Sequence, residues 1–187
     1  MNNKIRAAVI AHGLFAAALG LTPATSALAE VMVGGAPMYA NKDIIDNAVN
    51  SKDHTTLVAA VKAAGLVDTL KGPGPFTVFA PVNAAFAALP AGTVDTLLKP
   101  ENKPALVKVL TYHVVSGRIT AAMLTKMIAD GHGKATLKSV EGEPLTATVI
   151  AGVVTITDGK GDMAHVTTPD VLQSNGVIHV VDRVLLP

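Results

Sequence analysis

The apolar positions change period partway along the chain. Up to about residue 130 they recur at helical spacing: Ile44, Ile45 and Val49; then Leu57, Val58, Val61 and Ala64; then Val94, Leu97 and Leu98; then Leu106, Val109 and Leu110; then Met123, Leu124, Met127 and Ile128. Asn41–Asn50 therefore predicts a short amphipathic helix. The next helix starts at Asp53 or Thr55, either of which can cap it, and stops at Gly65. Leu66–Leu70 adds a further turn. Thr93 can cap a helix that Pro100–Lys103 breaks, Pro104–Leu110 resumes it, and Thr120–Ile128 is the last. Beyond Gly131–Gly133 the runs become strand-like: Thr136–Val140, Leu145–Ile150, Val153–Thr157, Ala164–Thr168 and Val177–Leu186. Ala151-Gly152 and Asp158–Asp162 between them are hairpin signals. Helices first and an antiparallel meander later predict an α+β domain.

One stretch, Gly72–Leu89, does not fit either half. It reads GPGPFTVFAPVNAAFAAL. Phe76–Phe79 is an aromatic and β-branched run suited to a buried strand, and Pro81 cannot donate to a ladder, so the strand should stop there. Asn83 stands where its side-chain oxygen could cap the helix of Ala84–Leu89. The expectation is a rigid strand–helix corner around which the chain is organised.

The first 29 residues belong to a different kind of pattern. Lys4 and Arg6 precede an apolar run from Ala7 to Leu21, and a small-residue stretch ends in Ala27-Leu28-Ala29. That is the layout of a secretory signal peptide over residues 1–29, cleaved after Ala29. The run is short and alanine-rich for a membrane span, and no later stretch approaches the needed length without a charge. An exported protein, secreted or periplasmic, with no transmembrane segment after cleavage is the expectation. Removal of the 29 residues would leave 158 of the 187, one ordinary domain, and a net charge of −1 once two of the fifteen cations are gone against fourteen acidic groups. With that balance and few aromatics, nucleic-acid binding has no support. No cysteine is present, so stability rests on packing without disulfides. Residues 30–40, with Gly34-Gly35 and Pro37, read as an exposed leader, and 41–187 as the domain.

Three motifs carry a resemblance. Thr77–Pro81, Asn83, Ala85 and Phe86 fill T-V-F-A-P-x-N-x-A-F, the first signature of the fasciclin domain family. Asn175–Pro187, NGVIHVVDRVLLP, resembles the second signature almost word for word, and Tyr112-His113 resembles the central tyrosine–histidine motif between them. The chain is similar to the bacterial single-domain secreted members. The resemblance implies a β-wedge of two small sheets with a helical layer. Thr77, Phe79, Pro81, Asn83, Phe86, Gly176 and His179 would then be structural motif residues. In the last strand Val177, His179 and Val181 should face one way and Ile178, Val180 and Asp182 the other, with Asn175-Gly176 setting the register.

The resemblance also proposes a contact face. In animal members the tyrosine–histidine region is implicated in integrin-type adhesion, which singles out Tyr112 and His113; their alternative reading is a histidine bonded into the interior at a helix–strand junction. In the slot of the animal integrin-binding motif, Asp170 matches the central aspartate, while Thr168 and Pro169 depart from its flanks. Asn175 follows in the same stretch. Asn41–Ile45 looks like that motif but lies outside its slot. Asp158–Asp162 lacks the alternating oxygens and closing glutamate of a calcium loop and reads as a hairpin turn. No zinc-protease, nucleophile-elbow or phosphate-loop motif occurs, and Ser174 and the scattered histidines form no paired site. These readings predict a non-catalytic monomer without metal or cofactor, binding a cell-surface protein, matrix or polysaccharide. A carrier of a small apolar ligand, held between helices and sheet, is the alternative.

Overall fold

The computed structural model describes residues 31–187; the expected signal peptide lies outside them. The apolar stripes form the expected helices: α1 (Ile44–Ala48), α2 (Thr55–Ala64), α3 (Val67–Lys71), α4 (Asn83–Ala87), α5 (Thr93–Leu97), α6 (Lys103–Tyr112) and α7 (Ala121–Asp130). Gly65 ends α2 in the left-handed conformation that only a residue without Cβ adopts freely, and the Thr120 hydroxyl caps α7 by accepting from the Met123 N–H.

Two short strands, β1 (Val31–Val33) and β2 (Ala36–Met38), pair as a hairpin around Gly34-Gly35. This corrects the expectation of an exposed leader over 30–40. Both glycines take positive φ and make a tight turn, and Val33 and Met38 are buried. The remaining strands are β3 (Phe76–Pro81), β4 (Val114–Ser116), β5 (Lys134–Lys138), β6 (Pro144–Ile150), β7 (Val153–Thr157), β8 (Met163–Gln173) and β9 (Gly176–Val181). They order as β4-β3-β9-β8-β7-β6-β5. The eleven-residue β8 belongs to both halves: its end pairs with β9, its beginning with β7, and register shifts between Val166 and Val171 bend it. The two small sheets of the expected wedge are thus joined through β8. On the far side Val115 bridges Ser139, and the Val140 N–H donates to the Val114 carbonyl at 2.7 Å, so the sheet curls almost to closure. The class is α+β.

The two signature strands lie side by side. β3 and β9 run parallel, with Phe76 opposite Gly176 and Pro81 opposite Val181. Both are buried on both faces, as central strands of a covered sheet are. Val78, Ala80, Ile178 and Val180 face the helical layer with Leu57, Val61, Leu106 and Leu110. Phe79 and Val181 face the inside of the curled sheet, where Leu124 and Ile128 of α7 meet Leu137, Leu145 and Ile156. The predicted alternation of β9 therefore feeds two cores, not a core and a wet face.

Candidate functional site

Tyr112 and His113 stand where α6 gives way to β4, and both are buried, which withdraws them as surface contacts. The tyrosine ring packs inside the curled sheet. Its hydroxyl donates to the Pro144 carbonyl at 3.0 Å and accepts from the Gly159 N–H at 2.9 Å, and burial raises its pKa. His113 points to the helical side. Its Nε2 accepts from the Leu185 N–H at 2.9 Å, so the proton sits on Nδ1, which donates to the Val109 carbonyl at 2.8 Å. Burial pushes its pKa from 6.5 to about 4, and the ring is neutral at physiological pH. Two neighbours in sequence thus lock opposite cores, the second tying the C-terminal strap to α6.

Asp170 and His179 form a separate cluster. The bulge in β8 places Asp170 at a positive φ of 55°, its N–H donates to His179 Nδ1 at 3.3 Å, and its carboxylate accepts from the Ala121 N–H at 2.7 Å, at the start of α7. A carboxylate at that end also meets the favourable pole of the helix. His179 Nε2 donates to the Ile119 carbonyl at 2.8 Å, its ring stacks on Phe79 with centroids 5.7 Å apart, and burial lowers its pKa. Asn175 is buried as well. Its Oδ1 accepts from the Ile44 N–H at 3.1 Å, and its Nδ2 donates to the Leu70 carbonyl at 2.7 Å and the Gly72 carbonyl at 3.0 Å. Asn175 therefore ties α1 and α3 to the β8–β9 turn. The four expected binding side chains do not converge on one surface.

The signature residues are internal connectors. Thr77 donates to the Gly117 carbonyl at 2.6 Å and accepts from the Ile119 N–H at 2.8 Å. Asn83 does not cap its own helix, which corrects the expectation: α4 begins at Asn83 itself, and the side chain turns back to α2. There its Oδ1 accepts from the Thr56 N–H at 3.0 Å, while its Nδ2 donates to the Lys52 carbonyl at 2.8 Å. It supplies the cap that His54, at the N-cap of α2, does not. Phe86 is buried on the helical side, and Pro81 ends β3. At Gly176 a Cβ would press on the Phe76 backbone, so the close approach of β3 and β9 requires glycine there. Asp158–Asp162 is a hairpin turn: Asp158 accepts from the N–H groups of Lys160, Asp162 and Leu186, each at 2.9 Å. Asp43, in the stretch outside the family slot, caps α1. Among the described residues no three metal-ligating side chains gather as a metal site would need.

One feature escaped the sequence reading. Ser51 Oγ and His54 Nδ1 lie 2.8 Å apart, both buried, beside an apolar cavity of about 40 Å³ under the helical layer. Their three-residue spacing before a helix was a visible signal, but nothing in it revealed burial. Of the stretch around Asp170 that the resemblance singled out, exposed surface remains beside the Asp170–Ala121 bond. Pro169, Leu172 and Ser174 are exposed on β8 and its turn, Met123 is exposed on α7, and Arg118 donates to the carbonyls of Gln173 and Ser174.

The comparisons agree with this architecture. A model of the fasciclin domain matches residues 52–187. A Synechocystis protein, sll1483, is 54% identical over 144 residues, covering 77% of this chain and 73% of that one. The cell surface glycolipoprotein MPB83 of Mycobacterium bovis is 33% identical over 159 residues, 82% of this chain and 64% of that one. Among solved structures, a FAS1 domain pair from the insect cell adhesion molecule fasciclin I superposes with a TM-score of 0.69 at 21% identity, over 78% of this chain and 51% of that one.

Proposed function

The chain belongs to the fasciclin domain family, and on that premise we propose that it is a non-catalytic binding module that works outside the cytoplasm, recognising a cell-surface protein or a polysaccharide. The observation that carries this reading is the fate of the reactive side chains. Tyr112, His113, His179 and Asp158 are each spent on backbone groups of distant segments, which leaves no assembled catalytic pair facing solvent among the described residues. The surface name of MPB83 and the amino-terminal signal pattern support an exported location. Among the described residues no helix is long and apolar enough to cross a membrane. The alternative, a carrier of a small apolar ligand held between the helices and the sheet, is not supported better: the cavity there measures about 40 Å³, against the roughly 300–1,000 Å³ of a drug-sized ligand pocket.

The contact face proposed is the exposed surface either side of the Asp170–Ala121 bond, with Pro169 and Leu172 from β8 and Met123 from α7. Asp170 acts there as the brace that holds the two elements together. A single small domain binds weakly on its own, so adhesion comes from many copies on one surface. The test is retention of cell-envelope and extracellular polysaccharide fractions on beads carrying the protein at high density, beside a Met123→Asp, Leu172→Asp variant. Saturable retention that the folded variant loses supports the reading. Equal retention by both moves the face elsewhere, and no retention at all refutes the module.

A further inference from the structure

The curled sheet does not close along its whole length. β5 is the last strand of the order, and β4 meets it at one bridge, Val115 to Ser139, with the Val140 N–H on the Val114 carbonyl. β4 cannot lengthen along β5, because Thr77 holds the chain that follows it: the hydroxyl donates to the Gly117 carbonyl and accepts from the Ile119 N–H. An open groove of about 410 Å³ is left at the seam. Val115, Ile119, Met127, Leu137 and Val140 make it largely apolar, and Met127 and Val140 are exposed. That volume lies within the roughly 300–1,000 Å³ of sites that take a ligand.

The ladder shows what the β5 edge offers this groove. The Ser139 N–H donates to the Glu143 carbonyl, and the register sets Leu137 opposite Leu145 and Ala135 opposite Ala147. Bonded pairs alternate in an antiparallel ladder, so Leu137 and Ala135 spend their backbone groups on β6, and those of Thr136 point into the seam. No strand pairs with Thr136 on that side among the described residues. Side chains alternate too: Ala135 and Leu137 are buried inside the curl, while Lys134, Thr136 and Lys138 are exposed on its outside. Neither lysine has a carboxylate within ion-pair distance among the described residues. Antiparallel pairing of this edge with a second copy centred on Thr136 would set Lys134 against Lys138 twice, and like charges directly opposite destabilise. An acidic strand meets the reverse condition.

We propose that the seam is a docking groove for an extended acidic segment of a partner protein, which adds to the β5 edge as an antiparallel strand. Its alternate residues are apolar and enter the groove. Those between them face outward, with carboxylates beside Lys134 and Lys138. Backbone bonds at Thr136 supply the pairing, as in other strand additions, and the lysines select the charge. The groove and the face beside Asp170 use different residues, so each can fail its test without the other.

The test is a titration of the isotopically labelled protein with the end-blocked peptide Glu-Val-Thr-Val-Glu at low ionic strength, following backbone amides. Alongside are Thr136→Pro and the charge-reversed pair Lys134→Glu, Lys138→Glu. The Thr136 N–H faces the seam, so proline removes that donor and leaves the β5–β6 ladder whole. The expected result is saturable shifts around the seam, at Ser116, Ile119 and Lys138 among others. Thr136→Pro should bind about tenfold more weakly. A peptide N-methylated at its threonine loses the matching bond from the other side, and should weaken as much without depending on how the variant folds. The charge-reversed protein should bind about tenfold more weakly and prefer Lys-Val-Thr-Val-Lys. Absence of saturable shifts in the wild type, or shifts away from the seam, overturns the site. Undiminished binding by the N-methylated peptide or by Thr136→Pro overturns strand addition, and an unchanged preference in the charge-reversed protein overturns the role of the lysines.

Discussion

Lowering the pH from 7 towards 4 sets a buried neutral histidine against its own unfolded state. His113 titrates at about 4 in the folded protein against 6.5 for the free side chain, with burial the leading cause. Because the folded value is the lower one, the unfolded chain binds the proton first. Stability from this residue is therefore complete above pH 6.5, falls as the pH drops, and levels off below about 4. Each pH unit in that window is worth about 1.4 kcal/mol, so the full loss is roughly 3 kcal/mol, a large share of the ~5–15 kcal/mol that holds a typical domain together. His54 and His179 shift in the same direction, also through burial, and steepen the slope. Urea unfolding followed by circular dichroism at pH 7, 6 and 5, at fixed ionic strength, measures it. His113→Gln separates this residue from the rest, since an amide can donate to the Val109 carbonyl and accept from the Leu185 N–H without titrating. The variant should lose about 1.4 kcal/mol less per pH unit near pH 5 than the wild type. A wild-type stability that is flat from pH 7 to 5, or identical slopes in both proteins, would refute the assignment of His113 as a neutral internal link.

Two further substitutions test the motif residues as connectors. Asn83→Ala removes the acceptor of the Thr56 N–H and the donor to the Lys52 carbonyl, and should cost about 1 kcal/mol with no change of fold; an unchanged melting temperature would show that α2 does not depend on this cap. Gly176→Ala pushes a methyl group against the Phe76 backbone and should cost about 3 kcal/mol, at the upper end of ordinary substitutions. Gly35→Ala is the control, with open space around the added Cβ and only its positive φ to oppose it, at about 1–2 kcal/mol. Equal costs at the two glycines would deny the close approach of β3 and β9.

What could be read from the chain and what could not divide along the range of the interactions. The helical stripes, the stop at Gly65, the end of β3 at Pro81 and the turn at Asp158–Asp162 depend on residues a few positions apart, and all are present; the expected caps at Thr93 and at Asp53 or Thr55 are not, since Gly92 and His54 stand at those N-caps and neither helix takes a side-chain cap bond from its own N-cap. The parallel pairing of β3 with β9 joins segments 100 residues apart, and nothing local encodes it. The expected strand Ala164–Thr168 stops short of Pro169-Asp170, residues that disfavour a regular ladder; the chain keeps them inside β8 by bulging, with the Asp170 carboxylate and N–H both engaged. Gly34-Gly35 reads as loose chain for want of any sign that Ser51 and Asp53 lie beneath it. Asn83 has the right chemistry for a cap and the wrong helix, because the N-terminus it serves comes from an earlier element. Burial of Tyr112 and His113 is likewise decided by β6, the β7–β8 turn and the C-terminal strap, which the motif itself does not contain.

That division bears on how such a domain acquires a partner. The wording that identifies the family falls on buried positions: Phe79, Tyr112, His113, Val177 and His179 are all within 2% of full burial, and Thr77 and Asn175 spend their polar atoms on backbone. Each tie spans dozens of residues, so losing one partner would strand another polar group in the interior. The fold already accounts for such residues, and sharing them says little about what is bound. The exposed positions carry no comparable bonds: Met123, Pro169 and Leu172 can change without stranding anything. On the proposed reading, specificity belongs to the exposed residues between the motifs. A graft of the exposed positions of α7 and the β8 bulge onto a related domain should carry retention with it, whereas a graft of the tyrosine–histidine pair should not.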